Sequence, residues 1–345
     1  MMRQFIVHFG AHKTGTTAFQ RFLQDNRDIL TAAGLCIPRL PEGQDGNYQG
    51  LARVMAGEYN QYPNRVRRFM RSLDPIVRPS FKDDVLISSE HLSSGKFRPY
   101  LSTFANSIDA LGFKKIAILV IRDQISWFNS RISQKRKMLL ETPLPFQEHV
   151  TEMISEGEGD WDDLCRKLQT LGFKVVVITN NERFNKKGVV RSLFETPPIK
   201  AYASKIKLAE PMIYNTSFGA KQQILADLIR DYISITLNLP THKVDRHALR
   251  NIMADCFAEQ MTDSPYNGFT PAFRKPVLAH FKASNARLAK TYFPEVGADM
   301  FPQKHMPEIS PQLISDLPSA QQVLLRNIAE KVINHAKRQG LFDGK

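Results

Sequence analysis

Cysteine is scarce in this chain: three residues in 345, at positions 36, 165 and 256. An odd number at such wide spacing excludes a disulfide framework and fits reduced thiols of a cytosolic protein. Metal-ligand spacing is lacking as well, because His242 and His247 stand five apart with no His or Cys cluster around them. No apolar run approaches the roughly 18 residues of a membrane span. The start, Met1-Met2-Arg3-Gln4, leads into only Phe5 to Phe9, too short for a secretory core and needed as a strand. There is no internal repeat and no low-complexity segment. What the chain has in excess is positive charge, 47 Lys and Arg against 34 Asp and Glu, a net +13, which suits an anionic ligand. The basic residues are dispersed and form no nucleic-acid-binding motif. Their densest group, Arg65, Arg67, Arg68 and Arg71, reads as a solvated helix face ahead of an acceptor-binding strip. At 42% hydrophobic content the chain can bury a large core, and its length permits two domains.

The most informative segment is Gly10-Ala11-His12-Lys13-Thr14-Gly15-Thr16-Thr17. It follows the apolar run Phe5 to Phe9, read as a buried strand, and precedes Ala18 to Leu30, where Phe19, Phe22, Leu23 and Leu30 recur at helical spacing. Strand, glycine-bearing loop and helix bring backbone N–H groups and a positive helix end onto a phosphate. A nucleoside triphosphatase loop places its lysine directly after the second glycine. Here that position is Thr16, and the lysine lies earlier, at Lys13. A cation inside the loop sits beside a 5′-phosphate and whatever leaves from it. The run H-K-T-G-T-T after the first strand resembles the 5′-phosphosulfate-binding loop of sulfotransferases that use 3′-phosphoadenosine-5′-phosphosulfate (PAPS). The resemblance implies that His12, Lys13, Thr14, Gly15, Thr16 and Thr17 bind the co-substrate and that PAP, the adenosine 3′,5′-bisphosphate, is released.

Lys114 to Ile121 is a continuous apolar run entered from two lysines, the pattern of a strand buried on both faces. It ends in Arg122-Asp123, and Gln124 to Met138 reads as helical. A guanidinium fork and a hydroxyl suit a phosphate monoester. In the sulfotransferases an arginine ends a central strand and a serine follows eight residues later, together holding the 3′-phosphate. Arg122 and Ser130 match that spacing. Arg122 as a structural partner of Asp123 is the competing reading.

Two further strands are expected over Asp84 to Ser88 and Phe173 to Ile178, with a short one at Gly34 to Pro38. Helices are expected over Asn64 to Leu73, Tyr100 to Leu111 and Trp161 to Leu171. The alternation predicts an α/β fold, a central parallel sheet flanked by helices. The strand at 84–88 runs into Ser89-Glu90-His91. Sulfuryl transfer to an alcohol needs a base, and a carboxylate or imidazole at a strand end fits that role. Glu90 and His91 are both eligible, and Ser89 is read as a helix cap. Lys13 would stabilise the charge that develops on the bridging oxygen. The scheme calls for no metal.

After Thr196-Pro197-Pro198 the pattern changes to long helices, expected over Ser217 to Leu237, Lys243 to Gln260, Thr270 to about Phe293 and Ser319 to Gln339. The expected organisation is an α/β PAPS-binding core over 1–198 and a helical region over 199–345. Glu182-Arg183-Phe184 and Ser284 to Phe293 resemble segments of bacterial sulfotransferases, without assigned roles. Asn285 and Arg287 are read as surface residues, and Trp127 and Trp161 as packing before base-stacking. The resemblance implies a cytoplasmic enzyme that transfers a sulfuryl group from PAPS to a hydroxyl or amine of a carbohydrate, glycolipid or small molecule. Two other classes compete: a P-loop kinase or hydrolase using Mg·ATP, and a non-catalytic protein that binds an anionic glycan. The acceptor is not legible, and Arg39 to Tyr62 and Leu139 to Asp160 are the segments expected to carry it.

Overall fold

The computed structural model describes residues 3–10, 16–40, 46–59, 62–78, 81–139, 144–180, 187–206, 218–296, 300–301 and 308–343. Along the chain come β1 (Gln4–Gly10), α1 (Thr16–Asp25), α2 (Arg27–Ala32), β2 (Leu35–Cys36), α3 (Gln49–Met55), α4 (Pro63–Met70), β3 (Asp84–Ser88), α5 (Leu101–Ala110) and β4 (Lys114–Ile121). Then follow α6 (Gln124–Lys137), α7 (Phe146–Ser155), α8 (Trp161–Thr170) and β5 (Lys174–Thr179), and after these the long helices Ala220–Asp231, Arg246–Ala258, Pro271–Tyr292 and Ser319–Arg338.

The chain forms two compact units, each assembled from three stretches. The first comprises Met1–Asp123, Ile154–Tyr214 and His280–Pro302, and the second Gln124–Met153, Asn215–Ala279 and Gln303–Lys345. The first holds one five-stranded sheet in the order β2-β3-β1-β4-β5. Every pairing is parallel, with Phe5 opposite Val85, Gly10 opposite Val120, and Ile121 opposite Thr179. The expected α/β class with a central parallel sheet is what the structure has. β1 and β4 are near-continuous apolar runs because both faces are covered, whereas β5, at the edge, is only half-buried.

The order also locates a crevice. From β1 the chain winds to one side through β2 and β3, then crosses to the other for β4 and β5. Ligands of open parallel sheets sit outside the carboxyl ends of the strands where the winding reverses, and here that point is the end of β1.

Local chemistry trims some expected elements. The helix anticipated over Ala18 to Leu30 is two, because the Asn26 side-chain amide donates to the Phe22 carbonyl at 3.0 Å and ends α1 there. The short strand at Gly34 to Pro38 contracts to Leu35–Cys36. Cys36, Cys165 and Cys256 are all buried free thiols, and burial raises Cys36 to about 11.

The second unit is helical. Ile224, Leu225 and Ile229 of Ala220–Asp231 pack with Leu249, Met253 and Phe257 of Arg246–Ala258 and with Leu325, Ile328 and Val332 of Ser319–Arg338. Arg136 on α6, 6% exposed, is ion-paired with Asp227 beside this core. Ser234 and its neighbours form one π-helical turn, Tyr232–Thr236, where the helix over Ala220–Asp231 had been expected to run on to Leu237.

Candidate active site

The site is built where β1, β3 and β4 end. His12, Lys13, Thr14 and Gly15 lie outside the described residues, and the description resumes at Thr16, the first residue of α1. That helix carries no acidic residue of its own in its first turn, a composition that suits an anion at a helix N-terminus. Thr17 is half-buried, and Thr16 is 2% exposed.

Thr16 Oγ1 donates to Glu90 Oε2 at 2.9 Å, joining two residues 74 positions apart. Glu90 opens a 3₁₀ turn, Glu90–Ser93, that begins directly after β3. Ser93 Oγ donates to the Gly10 carbonyl at 3.2 Å, and the Ser89 N–H to the His8 carbonyl at 3.1 Å. The end of β1 is thereby tied to the segment carrying Glu90 by two contacts, and the start of α1 by a third. His91 lies on the same turn, where its carbonyl accepts from Ser94 Oγ at 2.8 Å. Ser89, expected as a cap, holds the N-cap position but makes no side-chain cap bond, and its buried hydroxyl has no partner among the described residues. The 3₁₀ turn explains this, since it leaves too few aligned N–H groups for the hydroxyl to reach.

His8 went unnoticed in the sequence because it interrupts an apolar strand and belongs to no motif. Its ring is fully buried, with Nδ1 2.8 Å from Ser88 Oγ and an edge-on contact to Phe19 at 5.1 Å between centroids. Nε2 has no hydrogen-bond partner among the described residues. Burial holds the imidazole neutral, its pKa lowered to about 3 in spite of the opposing pull of Glu90. The ring abuts Gly10: a Cβ there would overlap Thr16 Cγ2 and lie 3.0 Å from His8 Cε1. Glycine is required at this position by close approach.

Arg122 follows β4 and is half-buried. Desolvation lowers its pKa, and the neighbouring Asp123 charge acts in the opposite direction. Its carbonyl accepts from Trp161 Nε1 at 2.9 Å, and Trp161 is 1% exposed, so this indole is a packed support for the strand end. Trp127 is buried to the same degree. Ser130 lies half-buried on α6 in the second unit. Arg287, expected on the surface, donates from Nε to Asp162 at 2.8 Å, a carboxylate whose side chain is 6% exposed. It is a structural pair on α8.

Among the described residues, no group of three or more His, Cys, Asp or Glu side chains is placed to hold a metal ion. None of the described helices is long and apolar enough to cross a membrane.

Fold and site together define an α/β protein with a parallel sheet whose winding reverses at the end of β1 and a carboxylate hydrogen-bonded to the first residue of α1. No family model and no curated protein match the chain. Among solved structures it is similar to the sulfotransferase from Alicyclobacillus acidocaldarius, at 14% identity and a TM-score of 0.40, over 84% of this chain and 96% of that one.

Proposed function

We propose that this protein is a sulfotransferase that moves a sulfuryl group from PAPS to a hydroxyl or amine of a carbohydrate, glycolipid or small-molecule acceptor. The observation that carries the reading is the Thr16–Glu90 hydrogen bond. It sets a carboxylate against the start of the helix that begins at Thr16 within H-K-T-G-T-T, at the end of the sheet where Arg122 also follows its strand.

In the proposed reaction the acceptor oxygen attacks sulfur in line with the bridging oxygen of the phosphosulfate. The new O–S bond forms as the old one breaks, PAP departs, and the acceptor proton passes to Glu90 or, in the alternative assignment, His91. Lys13 offsets the negative charge on the bridging oxygen, a contribution of about 3 kcal/mol for one well-placed contact. The loop residues His12 to Thr17 bind the 5′-phosphosulfate. Arg122 binds the 3′-phosphate, and Ser130 enters as its second ligand on sequence spacing alone. The absence of an acidic residue from the first turn of α1 itself supports an anionic co-substrate. A cytoplasmic location, where PAPS is made, belongs to the same proposal.

The test is a thermal-shift comparison followed by transfer of labelled sulfate. Stabilisation by adenosine 3′,5′-bisphosphate without magnesium is expected, and preference for Mg·ATP would assign the site to a kinase or hydrolase. Binding without transfer to any acceptor would leave a glycan-binding protein. Lys13→Ala is expected to reduce transfer roughly a hundredfold with the fold intact.

A further inference from the structure

The arginines of α4 form a face that the site description leaves unused. Arg65, Arg67, Arg68 and Arg71 are all exposed, the last as the C-cap residue, and the helix holds no acidic residue in its first turn. Opposite them Phe69, 7% exposed, turns inward onto Gly50 of α3, where a Cβ would overlap its ring. At helical spacing Arg67, Arg68 and Arg71 therefore share the outer side of α4. Ser72 Oγ donates to the Arg39 carbonyl, which brings a further exposed arginine to the end of the helix.

None of Arg67, Arg68 and Arg71 has an ion-pair partner among the described residues, whereas Glu58 is already paired with Arg53. Arg65 instead stacks over Tyr59 and Tyr62, at 5.6 and 5.2 Å from the ring centroids, and Arg53 covers Tyr59 at 4.7 Å. Cations thus already lie over the rings of Tyr59 and Tyr62, which competes with the base stacking a single-stranded nucleic acid uses. Phe69 points into the protein, and Met70, 43% exposed, is left outside as an isolated apolar side chain, not the apolar stripe that inserts in a bilayer. The cations are arginines without a lysine, and the guanidinium fork matches carboxylate and sulfate geometry.

Position adds a constraint on size. α4 packs on α3, and α3 packs on the 3₁₀ turn that carries Glu90. With helix axes about 8–10 Å apart and a helix radius of about 5 Å, the arginine face stands roughly 15–20 Å from that turn. A monosaccharide or small alcohol spans a fraction of this, and a polymer covers it.

We propose that the outer face of α4 binds an acidic polysaccharide, whose carboxylate or sulfate groups pair with Arg67, Arg68 and Arg71 while a hydroxyl further along the chain reaches the Glu90 turn. The acceptor role rests on the sulfuryl-transfer reading, but the binding itself does not.

The experiment is isothermal titration of the full chain, without nucleotide, against alginate, with dextran as the neutral control and polyglutamate, phosphatidylglycerol vesicles and single-stranded DNA as competing polyanions. Alginate is expected to bind, dextran not, and affinity is expected to fall with salt. Arg67→Gln/Arg68→Gln/Arg71→Gln is expected to weaken alginate binding about tenfold or more, given three exposed charge pairs. Arg68→Gln/Arg71→Gln serves if the triple variant melts early. Absence of alginate binding, equal binding by the variants, or tighter binding of vesicles, DNA or polyglutamate at equal charge overturns the proposal. Sulfate transfer with no alginate binding removes this surface alone, and alginate binding with no transfer removes the reaction alone.

Discussion

His8 and Ser88 meet twice: they are register partners across the β1–β3 pair, and Nδ1 lies 2.8 Å from Oγ on the buried side. The contact fixes the ring beside Gly10 with its second nitrogen unpartnered among the described residues. A neutral buried imidazole has a stability consequence. The folded pKa, about 3, lies below the ordinary 6.5, so the unfolded chain binds the proton first, and stability falls as pH drops below about 6.5. Between pH 7 and pH 5 the native protein is expected to lose about 2 kcal/mol through this residue. Urea melts of the protein and of His8→Gln at several pH values check this. Parallel curves for the two would show that His8 does not titrate between folded and unfolded states.

Thr16→Val keeps the shape of the side chain and removes its hydroxyl. The loss of one hydrogen bond to a carboxylate, about 1.5–3 kcal/mol, is expected to slow sulfate transfer tenfold or more if Glu90 must be held in place. Comparing kcat for wild type and variant, with binding of the bisphosphate measured separately, tests the assignment. Unchanged kcat would take the Thr16–Glu90 contact out of the mechanism.

Gly10→Ala introduces a methyl group where Thr16 Cγ2 already is and within 3.0 Å of His8 Cε1. Thr16 and His8 are both buried, so neither can move aside freely. The expected destabilisation is about 1–3 kcal/mol, visible in a chemical melt, and bisphosphate binding is expected to weaken along with it. A variant as stable as the parent would mean that the approach of His8 and Thr16 is looser than described.

Trp161→Phe retains the buried ring and deletes the donor to the Arg122 carbonyl. Stability should fall by about 1–2 kcal/mol as the carbonyl loses its partner. Calorimetry should also register weaker binding of adenosine 3′,5′-bisphosphate, because the backbone that carries the guanidinium is no longer fixed. If binding is untouched while stability falls, Trp161 supports the strand without influencing Arg122.

The strands were legible because a parallel sheet covered on both faces demands unbroken apolar runs. Asp84–Ser88 and Lys114–Ile121 stand where those runs predict them. Boundaries set by single polar contacts were not, as Asn26 splitting α1 from α2 illustrates. The role of Arg287 was hidden for a related reason. Its partner Asp162 is on a helix far away in sequence, and only folding shows that this carboxylate is buried. His8 carries the same lesson within the site, since nothing in an apolar run marks one imidazole as the residue that will abut Gly10. The π-helical turn at Tyr232–Thr236 likewise has no marker in the apolar stripe that passes through it.

Thr16 owns a single hydroxyl hydrogen, and Glu90 holds it. While the carboxylate is ionised, that oxygen can only receive hydrogen bonds from other groups. A protonated Glu90 can reverse the contact, with the acid as donor, and under the sulfuryl-transfer proposal the threonine hydrogen is then free for an oxygen of the co-substrate. On that proposal, deprotonating an acceptor and holding the departing nucleotide are two ends of one rotation about a Cβ–Oγ bond.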